Sequence, residues 1–313
     1  MSTSLAIVIP LFNEAQGIRE LLSRLQASIF ENFLLVLIDD GSTDSTVDEI
    51  RRFSFRSGIE WEIILLSRNF GHQAALMCGL RSLNERAERI IVMDGDLQDR
   101  PEDIPQLLSA LSGGFDCAFA ERRPASKSIL IDKLTGVFYR LQELTVPFPV
   151  PRYAGTFCAL RKEFLRHVCR FSEADLYFPG IRAYVGFKQA AVLVQRDCRR
   201  HGTSKVGLIG LLRLSSSGIL GFSALPLRMI FLCGLAMFAP SVAIGILVLA
   251  LRLTGIIEVM GFTSLMLILL AFGGIQMMSL GILGEYLSKL FTDVKRRPEV
   301  IIGSTIKGST HDG

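Results

Sequence analysis

Between residues 6 and 120 the chain alternates short, wholly apolar runs with longer stretches that are apolar on one side only. Residues 6–9, 34–38, 63–66 and 90–93 leave no polar position for a solvent face, so they read as strands buried on both sides, with 117–120 as a fifth. The intervening residues 15–27, 45–53, 73–83 and 101–111 repeat their apolar positions at helical spacing. Such alternation predicts an α/β fold with a mostly parallel, Rossmann-like sheet and right-handed crossovers. In sheets of this kind ligands bind beyond the carboxyl ends of the strands.

The pattern changes after Val206. Residues 229–251 and 259–284 carry no charge, and each run exceeds the ~20 residues a helix needs to cross a bilayer. Pro240 and the Gly273-Gly274 pair interrupt them, which membrane helices tolerate. The connector is short, so the two spans are expected as a hairpin. Arg213 and Arg228 precede it, Lys289, Lys295, Arg296 and Arg297 follow it, and its loop holds only Arg252. The positive-inside rule then puts residues 1–205, the N-terminal domain, and 285–313, a basic tail, on the cytoplasmic side. Residues 206–228 read as an interfacial helix; for 128–144 a core helix and an interfacial helix fit equally.

Composition agrees. Half of the 313 residues are hydrophobic and mean hydropathy is +0.40, high for an enzyme wholly in water. The net charge of +4 alone argues neither for nor against nucleic acid, and no nucleic-acid partner is expected. The six cysteines form no C-x-x-C pair and read as reduced, buried thiols. The apolar run 5–12 is too short for a signal peptide and ends at Asn13-Glu14.

The polar residues collect where the strands end. Pro10, Asn13 and Glu14 follow the first strand, Asp39-Asp40-Gly41-Ser42 the second, Arg68-Asn69-Phe70-Gly71-His72 the third and Asp94-Gly95-Asp96 the fourth. No G-x-G-x-x-G or P-loop is present, so the usual phosphate cradles are missing. Two carboxylates one residue apart after a buried strand suit a hard divalent cation, Mg²⁺ or Mn²⁺. Such an ion would offset the charge of a departing diphosphate. Asp39 or Asp40 can contact a base or ribose, while Ser42 or Asp44 caps the following helix. Arg199, His201, Gly202, Ser204 and Lys205 form a basic, hydroxyl-bearing loop suited to phosphate, and Arg122-Arg123 is a second basic pair. His72 reads as a polar pocket residue at most and His167 as structural.

Together these segments resemble the inverting family 2 glycosyltransferases of GT-A fold. Within them they resemble the bacterial polyprenyl-phosphate branch: bactoprenol glucosyltransferases and the undecaprenyl-phosphate aminoarabinose transferase, with dolichol-phosphate mannose synthase more distant. The resemblance covers nearly the whole chain, including Arg68-Asn69-Phe70-Gly71, Asp94 to Asp99, Gly202 to Lys205, Pro226-Leu227-Arg228, Gly284-Glu285-Tyr286 and Thr292 to Pro298. It implies that Pro10, Asn13, Glu14, Asp39, Asp40, Arg68 and Asp94 hold the nucleotide. It gives the metal and diphosphate to Asp94, Asp96 and Gln98, and phosphates to Arg122, Arg123, Arg199, Ser204 and Lys205. It also implies a UDP-sugar donor, an undecaprenyl phosphate acceptor, the bacterial inner membrane and a homotetramer.

Two positions depart from the pattern: Arg100 stands where relatives often have Pro, and Thr156 where they often carry an Asp that is a candidate base. Thr156 keeps that place among the catalytic positions with Asp94 and Asp96, although it cannot accept a proton at neutral pH. A phosphate monoester has a second pKa of about 6 and is largely a dianion at pH 7, so it attacks without a base. A non-catalytic scaffold, or a homologue acting on another acceptor, is the alternative that Thr156 raises. A processive synthase is excluded, because the only tryptophan, Trp61, follows Ile59-Glu60 and so lacks the Q-x-x-R-W motif.

Overall fold

A computed structural model describes residues 3–121, 151, 154–172, 177–194, isolated positions between 230 and 254, 261–295 and 297–309. The chain divides into two compact units, Met1–Ser215 with Pro298–Gly313, and Ser216–Arg297.

The first unit is built on an eight-stranded sheet: β1 (Thr3–Leu11), β2 (Phe33–Asp39), β3 (Ile59–Leu66), β4 (Ala87–Val92), β5 (Cys117–Glu121), β6 (Ala154–Arg161), β7 (Gln189–Leu193) and β8 (Ile302–Ser309). Their order is β7-β5-β6-β4-β1-β2-β3-β8. All seven residues of β2 are buried, as expected of a strand covered on both faces. On one face Leu5, Ile7, Ile9 and Leu11 of β1 pack with Ile18, Leu21, Leu22 and Leu25 of α1 (Ile18–Ser28) and with Ile104, Leu107 and Leu111 of α4 (Ile104–Ser112). On the other face α3 (His72–Ser82) lies against β1 and β2, with Gly79 close over Val8 and Ile38. Each such apolar side chain contributes roughly 1.5–3 kcal/mol on burial. α2 (Thr46–Arg51) follows β2, and α5 (Lys162–Val168) and α6 (Phe178–Val185) pack beside β6.

The five expected strands and four expected helices are all present, the last helix opening with a 3-10 turn at Pro101–Asp103. The sheet is more mixed than the pattern predicts. β1–β2, β1–β4, β2–β3 and β5–β7 are parallel, whereas β4–β6, β5–β6 and β3–β8 are antiparallel. β6 enters between β4 and β5, so it separates the parallel run β4-β1-β2-β3, which carries the polar strand ends, from the parallel pair β5–β7.

Residues 285–313, expected as a tail, contain β8. Its alternation is weak because β8 is an edge strand with one face on the protein and mostly polar side chains. Of its apolar residues Ile306 is half-buried against the core and Ile302 is exposed. The returning segment is fixed by Glu299, whose carboxylate takes two hydrogen bonds from the Arg81 guanidinium at 2.8 and 3.0 Å. Arg81 also donates to the carbonyl of Phe171. Glu62 of β3 is buried and receives Arg86 at 2.7 and 3.1 Å, with Lys307 of β8 at 3.9 Å.

In the second unit, α7 (Phe262–Val294) is one continuous helix of 33 residues, running past the expected span end at 284. Its described side chains include exposed Leu265, Ile268, Leu269, Phe272, Ile275, Met277, Met278 and Leu280. Counting only described side chains, no helix is long and apolar enough to cross a membrane. Most of 229–251, and all of 128–144 and 206–228, lie outside the described residues.

The Arg81–Glu299 pair is bidentate and its carboxylate side chain is only 14 % exposed. Glu299→Ala is expected to lower stability by about 1–2 kcal/mol, between the values for exposed and fully buried pairs. Thermal unfolding of Glu299→Ala, Arg81→Ala and the double variant checks this through a coupling energy that independent sites would not show.

Candidate active site

The carboxyl ends of β1, β2 and β4 lie side by side, and the polar loops that follow them are bonded into one layer. β1 ends in a turn at Asn13, which takes φ +56°, a conformation asparagine tolerates. Its N–H donates to Ser42 Oγ at 2.9 Å and its Oδ1 accepts the Thr43 N–H at 2.8 Å. The Glu14 N–H donates to Thr46 Oγ1 and the Ala15 N–H to Asp44 Oδ2. Asp44, rather than Ser42, receives the Thr46 N–H at the start of α2, and Ser42 serves the Asn13 loop instead.

Asp39 and Asp40 are both buried but differ in their bonding. Both oxygens of Asp40 accept backbone N–H groups, from Phe70 at 2.7 Å and Gly71 at 2.9 Å. Burial raises the Asp40 carboxyl above the ordinary 3.8 against those two bonds, with the nearby Asp39 charge pushing the same way. Asp40 thus holds the β3–α3 loop in place. Asp39 Oδ2 accepts the Ser42 N–H at 3.1 Å, while Oδ1 is buried without a hydrogen-bond partner. Arg68 stacks its guanidinium 4.0 Å from the Phe70 ring centroid and donates to the Asn69 carbonyl.

After β4 the chain makes a tight loop. Gly95 packs closely there, because a Cβ would lie 2.4 Å from a Leu11 methyl and 3.2 Å from the Pro10 carbonyl oxygen. Leu97 takes φ +61°, a strained conformation for a bulky residue, while its side chain is buried beside Gly17. Around it Asp96 Oδ1 accepts the Gln98 N–H, and buried Asp99 accepts the Asp94 N–H, each at 3.1 Å. Asp94, Asp96 and Gln98 are consequently half-buried, while Gly95, Leu97 and Asp99 between them are buried.

Asp94 Oδ1 has two further neighbours. Thr156 of β6 donates its hydroxyl to it at 2.8 Å, and His72 Nε2 at the start of α3 lies 3.0 Å away. Burial lowers the His72 pKa, but the bond to Asp94 and the charges of Asp94, Asp96 and Asp40 outweigh it, and the net shift is upward from 6.5. His72, expected as a polar pocket residue at most, and Asp99, given no role of its own by the sequence pattern, therefore join the site. Asp99 sits within the quoted Asp94–Asp99 segment, and His72 is the first residue after the third strand's polar loop. Arg122, Arg123, Arg199, Ser204 and Lys205 lie outside the described residues.

Among the described residues no cluster of three or more His, Cys, Asp or Glu is placed to hold a metal ion. Two half-buried carboxylates remain, Asp94 and Asp96. That donor set fits Mg²⁺, which takes one or two protein carboxylates and completes its shell with waters and substrate phosphates.

The strand ends of this α/β sheet present carboxylates, and the sequence holds no glycine-rich phosphate loop of the dinucleotide or P-loop kind. Residues 6–169 match the family model for glycosyl transferase family 2, and the chain belongs to that family. It is 33% identical to the uncharacterized glycosyltransferase YkcC of Bacillus subtilis, over 95% of this chain and 92% of the relative. It is 30% identical to the uncharacterized glycosyltransferase sll0501 of Synechocystis, over 96% and 95%. It is 28% identical to an undecaprenyl-phosphate 4-deoxy-4-formamido-L-arabinose transferase of Edwardsiella ictaluri, over 98% and 95%.

The raised His72 pKa has a defined pH signature in metal-free protein. A histidine whose folded pKa lies above 6.5 contributes stability that is complete below that value and is lost as pH rises through the folded pKa. The melting temperature is expected to fall across this window in the native chain and to fall less in His72→Gln. A scan from about pH 6 to 8 checks it.

Proposed function

We propose that this chain moves a sugar from a nucleotide-diphosphate donor, a UDP-sugar, to a polyprenyl phosphate at the cytoplasmic face of a membrane, with inversion at the anomeric carbon. The observation that carries the reading is the pairing of Asp39 on β2 with Asp94 and Asp96 after β4, at one sheet edge with only β1 between them. Two strand spacings separate those ends, roughly 10 Å, a length that a nucleoside diphosphate bridges. The buried, open Oδ1 of Asp39 is an acceptor for a base or ribose donor, whereas Asp40 is occupied in holding the loop. Asp94 and Asp96 would hold Mg²⁺ or Mn²⁺ with the diphosphate, and Gln98 lies beside them.

In this reading a phosphate oxygen of the lipid forms the new bond to the anomeric carbon while the bond from that carbon to the diphosphate oxygen breaks. The electron pair leaves with the nucleoside diphosphate. The bound ion would supply charge stabilisation to that leaving group. No general base is required, because the acceptor dianion is already the nucleophile. Arg122, Arg123, Arg199, Ser204 and Lys205 remain the proposed phosphate holders.

The lipid acceptor is supported by relatives named undecaprenyl-phosphate transferases and by α7. Its 33 residues correspond to about 50 Å of helix, more than the ~30 Å hydrocarbon core, and the sequence carries no charge from Phe262 to Gly284. Residues 229–251 and 259–284 are proposed as the two spans. The interlocked carboxylate site weighs against the scaffold alternative.

Detergent-solubilised protein, undecaprenyl phosphate, Mg²⁺ or Mn²⁺ and a panel of UDP- and GDP-sugars test this by mass spectrometry of the lipid. A glycosyl-phosphate-lipid product is expected, and Asp96→Asn should lower turnover on the order of a hundredfold or more. Full activity in that variant, or no product from any donor with folded, nucleotide-binding protein, would overturn the reading.

A further inference from the structure

Position 156 faces the end of β4. The antiparallel register pairs Val92 with Cys158, and two residues further along each strand bring Asp94 opposite Thr156. Thr156 is 9 % exposed and its hydroxyl proton is committed to Asp94 Oδ1. A hydroxyl so placed is a donor to a carboxylate and cannot act as the base that an aspartate would be. With His72 on the same oxygen, two side chains from different elements fix the plane of the Asp94 carboxylate.

Behind Thr156 stands Arg182 of α6, the largest fully buried side chain among the described residues. Its Nη1 donates to the carbonyl of Gly155 at 3.0 Å, and its guanidinium lies 4.6 Å from the centroid of Phe119. Nε and Nη2 have no hydrogen-bond partner. A buried guanidinium is costly to leave unpaired, and Arg182 is held by the Gly155 carbonyl and the Phe119 ring, with the Cys158 thiol of β6 beside it. What it does hold is the backbone of the residue next to Thr156. Arg182, Gly155, Thr156 and Asp94 form a continuous chain of contacts from the inside of α6 to the acidic edge.

We propose that Thr156 is a positioning residue: it presets the Asp94 carboxylate for the metal-bound diphosphate, and Arg182 fixes Thr156 through the Gly155 carbonyl. The proposal rests on the reading of Asp94 as a metal-diphosphate ligand. It follows that the site is built for a hydrogen-bond donor at 156. An aspartate there would place a second negative charge against Asp94 and remove the donor, and is expected to impair this chain.

The test is isothermal titration of UDP into the detergent-solubilised full chain with and without Mn²⁺, alongside lipid glycosylation. Thr156→Val should weaken Mn²⁺-dependent UDP binding about tenfold or more, the scale of a hydrogen bond to a charged group. Thr156→Ser should return it to within about threefold, since the donor is restored. Thr156→Asp should bind more weakly than the native chain and transfer more slowly. Should the valine variant fail to fold, Thr156→Ala carries the same expectation. Equal binding by the native chain and Thr156→Val, or tighter binding or faster transfer by Thr156→Asp, would overturn the positioning role while leaving the metal-diphosphate reading intact. UDP binding by the native chain that ignores Mn²⁺ would instead remove that reading, and the proposal with it.

Discussion

Negative charge is crowded at one edge of this sheet, and the rest of the site is arranged to hold it there. Asp39 at the end of β2 and Asp40, Asp94, Asp96 and Asp99 on the loops after β2 and β4 lie on two strand ends separated only by β1, and Asp39, Asp40 and Asp99 are buried. A carboxylate taken out of water must find donors or become neutral. Here the donors are mostly backbone N–H groups: Ser42 for Asp39, Phe70 and Gly71 for Asp40, Gln98 for Asp96, and Asp94 for Asp99. Side chains supply the remainder at Asp94. Each bond that satisfies a carboxylate also fixes a loop, so the same interactions solve the electrostatic problem and set the shape of the edge.

This coupling explains the unusual backbone at the site. Leu97 is held in a left-handed conformation between two of these bonds, and Asn13 in another beside the Ser42 and Thr43 contacts. Local strain of this kind persists only where surrounding contacts over-determine it, and here the determinants are the carboxylates and the buried Leu97 side chain.

The parallel half of the fold was legible because its strands are buried on both faces and its helices keep strict apolar spacing, as in β2 and α1. β6 was harder to see. Its apolar run, Phe157 to Leu160, is short, and its antiparallel insertion between β4 and β5 is a long-range pairing that local pattern does not encode. β8 has one protein-facing side and few apolar residues, so it read as tail. In the site, adjacent carboxylates were visible as motifs, but the division of labour between Asp39 and Asp40 depends on where the β3–α3 loop places its N–H groups. His72 was undervalued because its partner, Asp94, is close in space and distant in sequence. Thr156 was noticed for what it lacks, whereas its contact with Asp94 depends on the register of β4 and β6.

The return of the chain to the sheet as β8 has a consequence for biosynthesis. On a ribosome the strands emerge in chain order, and β8 appears only after all of α7 has been made. Until then the outer edge of β3, with Trp61 and Glu62, has no strand beside it and presents unpaired backbone groups. The catalytic sheet is thus completed last, by residues translated after the most apolar part of the protein. A nascent or prematurely terminated chain would carry the whole carboxylate edge on an unfinished sheet.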